Sequence, residues 1–378
     1  MTKRILLVGM IFSLLWGCQA PVQQAEEKQT PKRPKNVIFL IGDGMGLSQV
    51  SSSFFYNDNK PNFERFNNIG FVKTSSSSHK ITDSAAGATA YSAGVKSYNG
   101  AMGVGADTAA VTTILEIASE QGLSSGLVAT SSITHATPGS FFSHVKSRQL
   151  HEEIAAYLPT SAVDFFAAGG LEFFSKRKDG LNYYDSLIEN GFIMDSTKLE
   201  RPAELLLDKK YGYLLADDGM PKMQEGRGDF LPNATQMALD YLSQDEKGFF
   251  LMVEGSQIDW GGHANDAEYI IHEVIDFDKT IGKVLDFAEK DGNTLVVVTA
   301  DHETGGFTLA GKKKVKPFGL KYDDYDDIDP SFSTGGHSAT LIPVFAFGPG
   351  SDDFRGIYEN TEVFHKALKA AQWSKAAN

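Results

Sequence analysis

The sequence predicts an α/β fold, a three-layer sandwich with a central, largely parallel β-sheet flanked by helices, on three observations. Short apolar runs recur without polar alternation, as suits strands covered on both faces. Helix-like segments separate these runs, the arrangement by which a chain crosses from one parallel strand to the next. Acidic and imidazole residues follow the ends of several runs, and ligands of open α/β sheets gather at the carboxyl ends of the strands.

In chain order, Lys3 and Arg4 precede an apolar stretch over 5–16, and the small residues Gly17 and Ala20 follow. That layout reads 1–20 as a secretory signal, its apolar run too short to span a bilayer as a stable helix. Cys18 is the only cysteine, and Leu15-Trp16-Gly17-Cys18 resembles the lipobox of bacterial lipoproteins except at Trp16. A lipid anchor at Cys18 and ordinary cleavage after Ala20 both stay open. The chain is therefore expected to be exported, either periplasmic or outer-membrane-anchored in a Gram-negative bacterium. A single cysteine allows no disulfide within the chain, so stability must come from the core and any bound metals. Residues 21–35, polar with Pro21, Pro31 and Pro34, read as a linker.

From 36 to 378 there is no repeat and no break in composition, so one domain is expected. Its strand-like runs are 37–41, 126–129, 165–168, 249–253, 295–299 and 344–347, and helices are expected over 109–121 and 267–289. Residues 175–228 are polar and turn-rich, the pattern of a small excursion beside the sheet. Residues 312–329 begin basic and end acidic, as a solvated loop does. A hydrophobic content of 42% is ample for one core, and a net charge of -13 argues against a nucleic-acid-binding surface. An acidic chain that acts on an anion needs a locally positive site, which bound metal ions can supply.

The strand ends carry the candidate ligands. Asp43 follows the first run, Glu254 the fourth and Asp301-His302 the fifth. Asp259 and His263 lie four residues apart in Asp259-Trp260-Gly261-Gly262-His263, and His337 stands in Thr334-Gly335-Gly336-His337-Ser338. Nitrogen and oxygen ligands without thiolates suit zinc, and incomplete protein coordination leaves room for a substrate oxygen. Ser84 opens a run of good helix formers, Ser84-Ala85-Ala86-Gly87-Ala88, so its hydroxyl is expected at a helix N-terminus, where free amides favour a phosphate anion. In isolation the same pattern is met by Asp83 or Ser84 acting as an N-cap.

Eight ordered motifs between 36 and about 350 resemble those of alkaline phosphatases: Gly42-Asp43-Gly44-Met45-Gly46, Thr82-Asp83-Ser84-Ala85-Ala86, His135-Ala136-Thr137-Pro138, Ser147-Arg148, Val253-Glu254-Gly255, Asp259-Trp260-Gly261-Gly262-His263, Ala300-Asp301-His302-Glu303 and Gly335-Gly336-His337-Ser338. The likeness is strongest to cold-adapted bacterial members, Antarctic ones included. The resemblance implies an alkaline phosphatase-like sandwich and hydrolysis of phosphate monoesters through a phosphoserine at Ser84. It implies two zinc ions, one held by Asp259, His263 and His337 and the other by Asp43, Asp301 and His302. Asp43 would also bridge to a magnesium site with Thr137 and Glu254, and Arg148 would grip the phosphate. A homodimer is implied as well.

Two positions depart from the best-studied bacterial pattern: His135 stands for an aspartate and Trp260 for a lysine. His135 offers magnesium no carboxylate, and Trp260 removes a positive charge near the phosphate. His79, His144, His151, His272 and His365 match no ligand position. The 13 prolines and the low arginine count beside abundant lysine hint at a cold-active enzyme. A related phosphodiesterase or sulfatase is the alternative among enzymes, and Ser84-Ala85-Ala86 lacks the Pro and Arg that follow a sulfatase nucleophile. A non-catalytic exported protein that binds zinc or phosphate is the alternative from another class.

Overall fold

A ten-stranded sheet organises residues 33–374, those the computed structural model describes. The expected leader with Cys18, and all but the last three residues of the expected linker, lie outside them.

The strands are β1 (Asn36–Gly42), β2 (Asn68–Lys73), β3 (Ser124–Ser132), β4 (Phe165–Gly169), β5 (Phe192–Asp195), β6 (Lys210–Leu214), β7 (Phe249–Gly255), β8 (Thr294–Thr299), β9 (Glu303–Thr304), β10 (Thr308–Val315), β11 (Lys321–Ser331), β12 (His337–Ser338), β13 (Ile342–Phe347) and β14 (Gly356–Glu359). The helices are α1 (Leu47–Tyr56), α2 (Ser84–Ala93), α3 (Ile114–Glu120), α4 (Ala136–Gly139), α5 (His151–Tyr157), α6 (Leu171–Ser175), α7 (Tyr183–Glu189), α8 (Phe230–Leu242), α9 (Gln257–Ala264), α10 (Ala267–Asp291) and α11 (Thr361–Ala371).

In the main sheet the order is β14-β2-β13-β8-β1-β7-β3-β4-β6-β5. Every neighbouring pair is parallel except those made by β13, which runs against both β8 and β2. Helices α1, α8 and α9 each pack on α10, while α3, α4 and α11 each pack on α2, and the two sets flank the sheet.

The central strands are apolar throughout because both their faces are covered. Val37 to Ile41 are at most 2% exposed, and burying each such side chain is worth about 1.5–3 kcal/mol. Helix α10 buries Ile270, Val274, Phe277, Ile281, Val284 and Leu285 on one stripe. It starts at Asp266, whose carboxylate accepts from Tyr269 N, and stops at Gly292 in the left-handed region.

The expected helix over 109–121 begins later, at Ile114. Thr113 Oγ1 accepts from Glu116 N at 3.2 Å, and the Glu116 carboxylate accepts from Thr113 N at 2.8 Å. This reciprocal cap sets the start. The expected loop over 312–329 is largely an antiparallel hairpin, β10 with β11. Its basic and acidic halves face each other across the ladder, as in Lys314 with Asp324 at 2.6 Å, and such pairs support an exposed two-stranded ribbon. Part of 175–228 extends the sheet, supplying β5 and β6 at one edge.

Candidate active site

The parallel sheet brings the carboxyl ends of β1, β7 and β8 side by side, since β1 pairs with both of the others in register. Asp43, Glu254, Asp301 and His302 are carried there by these strands and are fully buried. Helix α9, directly after β7, presents Asp259 and His263 one turn apart on a single face. His337 arrives on β12, which pairs with β9, so His337 lies opposite Thr304. Gly44 has φ +73, and a Cβ there would sit 2.6 Å from Asp259 Cα. A side chain at 44 would thus push α9 away from the strand ends.

Three sets of ligand atoms converge: Asp259, His263 and His337; Asp43, Asp301 and His302; and Asp43, His135 and Glu254, each set within 4.8 Å. Their chemistry fits cations. His263 Nδ1 faces Gly335 O at 2.8 Å and His337 Nδ1 faces Thr82 O at 2.9 Å. A carbonyl only accepts, so each Nδ1 carries the proton, and in a neutral ring each Nε2 is then a bare lone pair. These two Nε2 atoms stand 3.2 Å apart, with Asp259 oxygens at 3.5 and 3.6 Å. Two nitrogens bound at the usual distance to one tetrahedral zinc would be about 3.3 Å apart.

Among the described residues, the second set leaves both Asp43 oxygens and Asp301 Oδ2 buried without a hydrogen-bond partner, and Glu254 Oε1 and Thr137 Oγ1 are in the same condition. Burial and the neighbouring Asp301 charge push the Asp43 carboxyl well above its usual range. Burial pushes Glu254 up to about 7, with the Ser256 hydroxyl pulling the other way. Burial and then His337 hold His302 neutral, well below the ordinary imidazole range. Carboxylates packed this way must be protonated or bind cations, and the all-oxygen Asp43, Thr137 and Glu254 suit a hard one.

Ser84 is the first residue of α2 and points at the second set, its Oγ 3.2 Å from His302 Nε2. Asp83, not Ser84, is the N-cap: its Oδ1 accepts from Ala86 N at 3.1 Å, which leaves the serine hydroxyl free of capping. Gly87 lets α2 approach β8, because a Cβ there would meet Asp301 Cβ at 2.9 Å. Arg148 donates through Nη1 to Asp83 Oδ2 at 3.1 Å and through Nη2 to His135 Nε2 at 3.2 Å. Two of its five N–H groups are used, and three remain for an anion. His135 is held neutral by burial and then by Arg148. Trp260 meets His135 edge to face at 6.1 Å.

All twelve residues singled out from the sequence are thus gathered around one group of strand ends. Sequence reasoning missed several others. Asp83 sits inside a quoted motif, where the sequence offers it only as a cap, and its hold on Arg148 needs a contact across 65 residues. Ser131 and Ser256 donate to Glu254 Oε2 at 3.0 and 2.6 Å, and Thr304 Oγ1 donates to Asp259 at 2.5 Å. No residue-type signal marks such hydroxyls.

A serine at a helix N-terminus, facing clustered carboxylates and imidazoles beside a half-buried arginine, defines a metal-binding hydrolase built on an α/β sandwich. A family model described as alkaline phosphatase matches residues 34–172 and 162–327. Alkaline phosphatase 3 of Bacillus subtilis (strain 168) is 33% identical over 452 residues, spanning 98% of this chain and 97% of that protein. The alkaline phosphatase of Escherichia coli (strain K12) is 30% identical, spanning 90% of this chain and 86% of that one. The solved alkaline phosphatase from the Antarctic bacterium TAB5 is 55% identical with a TM-score of 0.89, covering 92% of this chain and all of that one. A variant of it, His 135 Asp with magnesium in the M3 site, matches at 56% with a TM-score of 0.90. The chain belongs to the alkaline phosphatase family and is a phosphatase.

Proposed function

We propose that the protein hydrolyses phosphate monoesters through a phosphoserine formed on Ser84, with zinc at Asp259, His263 and His337 and at Asp43, Asp301 and His302. Magnesium would be held at a third site by Asp43, Thr137 and Glu254, beside His135. The observation that carries this reading is Ser84 Oγ, free of capping and 3.2 Å from His302 Nε2, at the amide end of α2. When bound, the ions supply Lewis-acid stabilisation of the serine alkoxide and of the departing alcohol oxygen. Ser84 Oγ gives up its proton to solvent and attacks phosphorus, and the ester P–O bond breaks with the alcohol oxygen taking a proton from water; a second water then cleaves the Ser84–phosphate bond, releasing inorganic phosphate and returning a proton to Ser84 Oγ. Arg148, held flat by Asp83 and His135, orients two phosphate oxygens, and the free amides of α2 favour the anion.

Hydrolysis of p-nitrophenyl phosphate at alkaline pH tests this directly. The parent turns over, Ser84→Ala loses at least about a thousandfold, and EDTA abolishes parental activity until zinc and magnesium are restored. A folded, zinc-loaded parent without turnover overturns the reading.

His135 in place of a carboxylate supports a weakly held third ion. The TAB5 variant with aspartate at its position 135 and magnesium bound accords with that. Exported location, with or without a lipid on Cys18, rests on the leader pattern, and mass analysis of the mature N-terminus decides it. A homodimer is supported by exposed Phe54 and Phe55 on α1 and Phe318 at the hairpin tip, and sedimentation reads it. Adaptation to cold is supported by the Antarctic relative, and the temperature dependence of turnover tests it.

A further inference from the structure

Thr304 is fully buried between the first two ligand sets. It lies two residues after His302 and opposite His337 in the β9–β12 ladder. Its backbone is fixed independently of its side chain, because Thr304 N donates to Gly44 O at 3.1 Å. On the other side the space is tight, since a Cβ on Gly262 would stand 2.8 Å from Thr304 Cβ.

The Oγ1 of this residue touches a member of each set, Asp259 Oδ1 at 2.5 Å and His302 Nδ1 at 3.2 Å. A hydroxyl has one proton, and a carboxylate oxygen only accepts. The proton therefore points to Asp259, and toward His302 the hydroxyl can only accept. His302 Nδ1 must then carry its own hydrogen, which leaves Nε2 with a free lone pair. That Nε2 is the atom 3.2 Å from Ser84 Oγ, 3.2 Å from Asp301 Oδ2 and 3.6 Å from Asp43 Oδ1.

We propose that Thr304 is a positioning residue that couples the two zinc sites: one hydroxyl selects the ligating tautomer of His302 in one site and orients the Asp259 carboxylate in the other. The relay runs one way, from His302 Nδ1–H to Thr304 Oγ1–H to Asp259 Oδ1. Neither ligand can swing without breaking a bond to the hydroxyl that also holds the other. The inference rests on reading these two sets as zinc sites.

The test is zinc affinity, measured by competition with a chromophoric chelator on the parent, Thr304→Val and Thr304→Ser. Each protein is also studied with one set disabled by His337→Ala or Asp301→Ala, so that each site is read alone. Thr304→Val keeps the shape and deletes the hydroxyl, and it weakens zinc at both sites by about 10–100-fold. Thr304→Ser returns both to within a few-fold of the parent. In the zinc-loaded parent and the serine variant, the His302 Nδ1 proton resonates downfield as a hydrogen-bonded imidazole N–H, and in the valine variant it moves upfield. If the valine variant fails to fold, Thr304→Ala, which adds no bulk, is read the same way. Unchanged zinc affinity without the hydroxyl, in a parent that binds two ions, overturns this inference and leaves the proposed function standing. Weakening at one site alone overturns the coupling. A parent that takes up no zinc overturns both readings.

Discussion

At the scale of single residues, Trp260 separates this chain from members that carry a lysine there. It is seated on Gly219, where a Cβ would come within 2.5 Å of the indole, and it stands edge to face with His135. An indole puts no charge beside the phosphate, whereas an ammonium would attract the departing anion. Trp260→Lys is therefore expected to tighten inhibition by inorganic phosphate about tenfold, and to slow turnover if product release limits it. Equal phosphate inhibition constants in variant and parent would dismiss this role. The proposed third site is the other such position: His135→Asp supplies a carboxylate next to Asp43 and Glu254. It should raise magnesium affinity by about an order of magnitude in equilibrium dialysis. A variant that binds magnesium no better than the parent would show that His135 is not what weakens the site.

At the scale of the element, the N-terminus of α2 does two jobs through one carboxylate. Asp83 Oδ1 caps the helix at Ala86 N, while Oδ2 holds Arg148 and accepts from Gly100 N at 3.0 Å. Asp83→Ala removes both functions and should cost about 1 kcal/mol of stability from the lost cap. It should also weaken phosphate inhibition several-fold by freeing the guanidinium. Asp83→Asn keeps the cap oxygen but turns an amide NH2 toward Gly100 N and Arg148, so its melting temperature should fall less than that of Asp83→Ala while phosphate inhibition weakens as much. Melting curves and phosphate inhibition measured on both variants separate the two jobs, and parallel losses in both variants would refute the division. The element scale is also where sequence reading was least complete. The continuous runs of β1, β7 and β8 stand out because burial on both faces excludes polar residues. Strand β2 alternates buried and exposed positions and contains Gly70, so it carries no such run. In β10 and β11 strand pairing comes from charges across the ladder rather than from apolar residues, and a charge run reads as a loop until its partner strand is known.

At the scale of the whole molecule, Arg227 locks the end of the 175–228 segment to α10. Its guanidinium, wholly buried, donates to the carboxylates of Glu273 and Asp276, the latter at 2.9 Å. Burial, opposed by Arg227, pushes Asp276 up to about 6. A carboxyl whose folded pKa is raised binds more protons in the native state. Its contribution to stability is therefore present below about pH 4 and is lost as pH rises through about 6, a swing near 3 kcal/mol. Arg227→Leu strands two buried carboxylates, and breaking such a network costs about 3–5 kcal/mol. Because those carboxylates ionise without a partner, the loss should be greater at pH 8 than at pH 5. Denaturant unfolding at the two pH values checks the sign, and a pH-independent loss would show that the network is not held by charge.

The sequence by itself determined the sandwich, its central strands and the family pattern of the candidate ligands, because burial on both faces and ligand chemistry leave marks in residue type and local spacing. Eight short motifs sufficed to place Ser84, Arg148 and the ligands in one family pattern. What the tertiary structure alone decided is how these groups are held. Asp83 on Arg148, Thr304 between Asp259 and His302, and the backbone carbonyls of Thr82 and Gly335 on His337 and His263 join residues far apart in the chain. Hydrogen bonds of this kind depend on distance and direction in space, and ordinary threonines, serines and carbonyls acquire their roles only when the sheet brings their partners within about 3 Å.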